Sequence, residues 1–141
     1  EYKNIRLTDE EYRKLKDKLQ GHTDMMIEKL SRAIEVTLGR TGYDMYRPQT
    51  IIIPSNKRDS AYGKEDNACA LENIFLAAHS LGIGSVWINQ LQNICDEPLI
   101  RQVLEELAIP SDHVVYGLAA LGYSDGEPKE IKRVGEVTYI K

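Results

Sequence analysis

The stretch Ala70-Leu-Glu-Asn-Ile-Phe-Leu-Ala-Ala-His-Ser-Leu-Gly-Ile-Gly-Ser-Val-Trp-Ile88 says more about this chain than any other. It joins a nearly all-apolar helix to a strand through a Gly-x-Gly corner. A helix that is apolar nearly all round is expected to be buried on most sides, at the centre of a domain. Gly82 reads as the C-cap that ends it. Gly84 carries no Cβ, so the backbone there can approach something flat or bulky. A dinucleotide fingerprint is excluded, because that motif runs strand, Gly-x-Gly-x-x-Gly, helix. Here the order is reversed and the third glycine is missing.

Upstream, Asp66 is the expected cap of this helix, and residues 55–64 form a polar loop. Ile51-Ile-Ile53, bounded by Pro48 and Pro54, predicts a short buried strand. Thr8-Asp-Glu-Glu11 is a capping box, followed by Tyr12, Leu15 and Leu19 on one helical face. Gly21 is the expected stop. A second helix is expected from near Thr23, with Ile27, Leu30, Ile34 and Leu38 as its stripe and Gly39 and Gly42 closing it.

Downstream, residues 83–88 read as a strand. Asp96 or Glu97, with Pro98 just inside, starts another helix whose face is Leu99, Val103, Leu104 and Leu107. After a turn at Pro110, residues 114–121 predict a long central strand. Residues 122–129 predict a loop, and residues 134–140 a last extended segment that could add to a partner's sheet. Helices and strands alternate, so the class is α/β or α+β. The 141 residues fit a single domain, 1–141, with no internal repeat.

Composition sets further bounds. With 42% hydrophobic residues the chain can build a core. A net charge of −4 without a long basic run argues against nucleic acid as a partner. Cys69 and Cys95 form no CxxC and read as two unrelated buried thiols of a reducing compartment. No segment has the ~18 apolar residues of a membrane span, and no signal peptide opens the sequence, so a cytoplasmic protein is expected. His22, His79 and His113 fall at no metal-ligand spacing, so no metal is expected. Glu72 and Asn73, polar on an apolar helix, read as structural hydrogen-bonding groups rather than catalytic acids.

Residues 66–88 resemble the central helix and following strand of FMN-dependent nitroreductases. Val115-Tyr-Gly-Leu-Ala-Ala-Leu-Gly-Tyr123 is similar to that family's late core strand. Glu127-Pro-Lys-Glu-Ile-Lys-Arg-Val-Gly-Glu-Val137 is similar to its basic C-terminal segment. The three pieces come in the family's order. The resemblance implies an α+β fold with a central mixed sheet flanked by helices, and a homodimer with FMN at the subunit interface. It implies ping-pong transfer of electrons from NAD(P)H to nitroaromatic or quinone-like acceptors. It assigns Gly84, Ser85, Val86, Trp87, Ile88 and Asn89 to the flavin ring, Asn89 and its neighbours offering a backbone N–H near N5. It assigns Lys132 and Arg133 to the phosphate, and it needs no catalytic side chain. Read without the family, Trp87 is a core aromatic and the Lys132–Arg133 pair a solvated basic turn. The family's opening arginine-rich segment and Asn-x-Gln-Pro-Trp motif have no counterpart beyond a faint echo in Lys3-Asn-Ile-Arg6. The N-terminal part is therefore expected to be missing or reduced. The alternative function is a truncated, non-catalytic flavin-binding or regulatory module.

Overall fold

The computed structural model describes residues 8–126, 132 and 134–140. Its first element is one long helix, α1 (Asp9–Leu38), where two were expected. The capping box forms as read: the Thr8 hydroxyl accepts the Glu11 N–H and the Glu11 carboxylate accepts the Thr8 N–H. Gly21 does not stop the helix. It lies on an exposed turn with a negative φ, and a glycine there costs about 1 kcal/mol, too little to break a well-capped helix. Thr23 caps nothing and donates its hydroxyl back to the Leu19 carbonyl, 2.9 Å away. Gly39, at φ +61°, ends α1 as expected.

The remaining elements are β1 (Thr50–Ile52), β2 (Asn56–Lys57), α2 (Gly63–Ser80), β3 (Gly84–Ile88), α3 (Leu91–Ile94), α4 (Pro98–Glu106), β4 (His113–Val114) and β5 (Leu118–Gly122). The long strand expected over 114–121 is broken at 115–117. Its start pairs with β2 and its end crosses into a three-stranded sheet of order β1-β5-β3. The class is α+β. Every pairing among the described residues is antiparallel, in two small sheets rather than one mixed sheet. The reason lies in the connections: α2 leads into β3 through a tight reversal at Gly82, φ +70°, and no βαβ crossover is made.

One face of the three-stranded sheet carries Ile51, Val86, Ile88, Leu118 and Ala120 against α1 and α4, where Leu30, Ile34, Ile100, Val103 and Leu104 complete the main core. Ile100 holds the place expected of Leu99, which faces solvent. The other sheet face packs on α2, whose buried positions are Gly63, Asn67, Leu71 and Ala78. α2 begins three residues before Asp66, which caps nothing. The rest of the helix departs from expectation. Leu76 is 59% exposed, and Glu72, Asn73, Cys69 and His79 also face solvent, because within one chain only the sheet side of α2 has anything to pack on. Cys95 is buried as read and Cys69 is not; neither is paired. β1 is likewise an edge strand and only half-buried. Residues 134–140 are exposed and pair with no strand among the described residues. No helix among the described residues is long and apolar enough to cross a membrane.

The continuity of α1 has a direct test. A Cβ added at Gly21 meets nothing within 4 Å. Gly21→Ala should raise stability by about 1 kcal/mol in urea unfolding. A loss of stability would mean that the helix breaks there.

Candidate functional site

Position along β3 and strand alternation together divide the residues that the sequence grouped: Gly84, Val86 and Ile88 share one face, Ser85 and Trp87 the other. Ile88 is 1% exposed and its side chain belongs to the core, which leaves its backbone for the contact that the resemblance assigns. Gly84, Ser85 and Val86 line a pocket of 220 Å³ at one end of the sheet, with Gly122, Tyr123 and the Met45–Pro48 turn opposite. Trp87 points to the α2 side. Its ring centroid lies 6.1 Å from that of Phe75, tilted by 47°. It is 41% exposed, so it is neither a core aromatic nor a free ligand platform. Asn89 is exposed just beyond the strand.

Gly117 explains how the indole is seated. A Cβ at that position would come 2.3 Å from Trp87 Nε1 and 3.2 Å from the Ile88 carbonyl oxygen. The glycine is therefore the floor beneath the ring. Gly117→Ala should displace the indole, shift its fluorescence emission and cost about 1–3 kcal/mol. Unchanged emission and stability would show that the ring is not held there.

Two buried polar side chains were missed in the sequence reading. Both side-chain atoms of Asn67, and Gln90 Oε1, are buried without a hydrogen-bond partner. α2 and β3 run back to back about the Gly82 reversal. An orphaned buried amide costs about 1–3 kcal/mol, so each of these side chains favours a group that brings the missing donor or acceptor. The legible signal was Asn67 itself, four residues from Gly63 and four from Leu71 on the sheet-facing stripe.

Nearby charges serve the scaffold. Arg58 grips Asp96 through two bonds of 2.9 and 2.7 Å, and Arg101 donates to Asp96 at 2.9 Å and to the His113 carbonyl at 3.1 Å. The Arg58 guanidinium above all holds the Asp96 carboxyl below its usual range. Ser55 Oγ lies 2.9 Å from His113 Nδ1, but no carboxylate bonds the other ring nitrogen among the described residues, so no nucleophilic triad is built. Lys132 is exposed. Arg133 lies outside the described residues, as do Lys3, Asn4, Ile5 and Arg6.

Comparison with known proteins adds to this geometry. The family model described as the nitroreductase family matches residues 5–123. A protein of Archaeoglobus fulgidus named as an NADH dehydrogenase/NAD(P)H nitroreductase is 41% identical over 63 residues. That match covers 45% of this chain and 34% of the relative, so it spans about a third of the relative's length. The crystal structure of a nitroreductase with bound FMN from Bacteroides fragilis superposes with a TM-score of 0.73 at 36% identity, covering 84% of this chain and 72% of that one. An FMN-dependent nitroreductase from Clostridium difficile gives a TM-score of 0.62 at 26% identity, with 94% and 85% covered.

Proposed function

This chain belongs to the nitroreductase family, and we propose that it is an FMN-dependent oxidoreductase that carries electrons from NAD(P)H to nitroaromatic or quinone-like acceptors. The observation that carries this reading is the likeness, over most of the chain, to the FMN-bound Bacteroides fragilis nitroreductase. The residues present fit a flavin. A flavin ring has an apolar edge and a polar edge with carbonyl and N–H groups. Trp87 offers an apolar neighbour and Asn89 an exposed polar one. Asn67 on α2 and Gln90 just beyond β3 carry buried polar atoms without partners. When bound, FMN supplies the redox chemistry, accepting a hydride and giving up electrons in two separate encounters, which makes the kinetics ping-pong. The chain's own part is to bind, orient and exclude water, and no side-chain nucleophile is required. The flavin assignment is kept for Trp87, Asn89, Lys132 and Arg133. Ile88, with its side chain packed inside, has its backbone to offer there, and Gly84, Ser85 and Val86 line the 220 Å³ pocket.

Lys132 and Arg133 are proposed to hold the phosphate, Arg through its planar fork and Lys as a point charge. Replacing both with Ala should weaken FMN binding by about tenfold or more and riboflavin binding by less than about twofold, read by quenching of flavin fluorescence. Equal losses would remove the pair from the phosphate. A colourless wild-type protein that takes up no added FMN would overturn the whole reading in favour of a non-catalytic relative.

The assembly proposed with this function is a homodimer. Leu76, Leu81 and Trp87 leave one flank of α2 and β3 apolar and exposed, and Val134, Val137, Tyr139 and Ile140 extend with their side chains in solvent. A second copy related by a two-fold axis covers such surfaces reciprocally. Leu76→Lys should convert the dimer to monomer in sedimentation at micromolar concentration and lower FMN retention with it. A wild-type chain that sediments as a compact monomer would refute the dimer.

A further inference from the structure

We propose that the pocket at the Gly84 end of the sheet is a second ligand site, one that takes a small aromatic carboxylate. Its floor is backbone and short apolar side chain. Gly84 and Gly122 face each other across the β3–β5 pair so closely that a Cβ on Gly84 would stand 3.0 Å from the Gly122 carbonyl oxygen. Val86 and Ala120 continue the floor, while Tyr46 and Tyr123 line the walls with their side chains largely in solvent. Single rings pack well on such aromatic walls.

The opposite wall is a strained turn. Met45, Tyr46 and Arg47 all have positive φ, at 49°, 65° and 51°. Three successive non-glycine residues in the left-handed region persist only when their surroundings over-determine them. Here Met45 is fully buried in the core. Asp44 holds the other two: its carboxylate accepts the Tyr46 N–H at 3.1 Å, and its carbonyl accepts the Arg47 N–H at 2.9 Å. The chain then rejoins the sheet through the Gln49 N–H, which bonds the Leu121 carbonyl at 2.9 Å. The conformation thereby fixes Tyr46 and Arg47 at the mouth of the pocket.

Arg47 is the charged residue on this wall, and no carboxylate lines the pocket with it. It gives its Nε–H to Asp44 Oδ2 at 2.9 Å. Among the described residues neither terminal nitrogen of the guanidinium has a partner. The Arg47 side chain is 88% exposed, so its guanidinium stands at the open mouth of the pocket, where its two terminal nitrogens match a carboxylate's two oxygens. Size sets the rest of the ligand. At 220 Å³ the pocket exceeds the ~150 Å³ cavity known to accept benzene and falls short of the ~300–1,000 Å³ of sites for larger ligands. One ring with one carboxylate fits; a flavin does not. Asn89 is five residues along the chain from Gly84, about 16 Å by strand rise, so this site shares no residue with the proposed flavin contacts.

Benzoate, benzamide and acetate are titrated into the isotopically labelled full chain, with and without FMN, and backbone amide shifts are followed by NMR. The expected result is saturable benzoate shifts centred on Gly84, Ser85, Gly122 and Tyr123 under both conditions. Benzamide, the neutral isostere, should bind about tenfold more weakly, and acetate should not saturate. Arg47→Gln should weaken benzoate about tenfold, with Arg47→Lys between the two because it keeps the charge and loses the fork. Tyr123→Ala should weaken benzoate and benzamide alike. Equal affinity for benzoate and benzamide, an unaffected Arg47→Gln variant, or shifts confined to Trp87 and Asn89 would each overturn the proposal. Failure to take up FMN would sink the flavin reading and leave this test intact.

Discussion

The middle position of β5 is the constraint on which the other elements depend. It pairs with β1 on one side and β3 on the other, and Leu118, Ala119 and Ala120 are buried on both of its faces. Two alanines at its centre keep the sheet thin enough for α2 to approach one face while α1 and α4 close on the other. Gly117, just before β5, lets the Trp87 indole lie against the backbone. Gly84, paired with Gly122 at the strand's far end, lets β3 lie close to β5: a Cβ there would stand 3.0 Å from the Gly122 carbonyl oxygen. Both ends of the sheet thus owe their shape to missing side chains on or beside one strand.

From this arrangement follows an asymmetry between the two sheet faces. The α1–α4 side holds the large apolar cluster and is closed by the chain itself. The α2 side is closed only where α2 meets β3 and β5. An apolar helix with one free flank is a surface awaiting cover, and the proposed second copy would cover it with the same residues. In this reading assembly completes a core that one chain leaves half built, and the proposed flavin contacts of Trp87 and Asn89 lie beside that unfinished face.

Much of the fold was legible in local signals. The Thr8–Glu11 capping box, the Gly39 and Gly82 helix ends and Pro98 at a helix start all stand where the sequence put them, because each depends on hydrogen bonds within a few residues. The errors share a different cause. Gly21 was read as a stop on propensity alone, which a long capped helix overrides. The strand over 114–121 was read as unbroken because apolar β-branched residues say nothing about which sheet each half joins. The family resemblance came from residues 66–88, 115–123 and 127–137; the first two lie inside the span that the family model matches, residues 5–123, and the third lies beyond it.

The sequence by itself determined most element types and many of their ends, because these rest on backbone geometry and side-chain periodicity over short distances; the α+β class and the family came from the likeness of whole segments to nitroreductases. Only the tertiary structure decided which side chains share a surface. It separated Gly84, Ser85 and Val86 from Trp87 and Asn89, which the sequence had placed in one site. It brought the Met45–Arg47 turn to Gly84 and Gly122, and it left Asn67 and Gln90 buried without partners. The reason is physical. A strand alternates its faces at every residue, and proximity between positions some forty residues apart is set by strand pairing and packing, which no local pattern encodes.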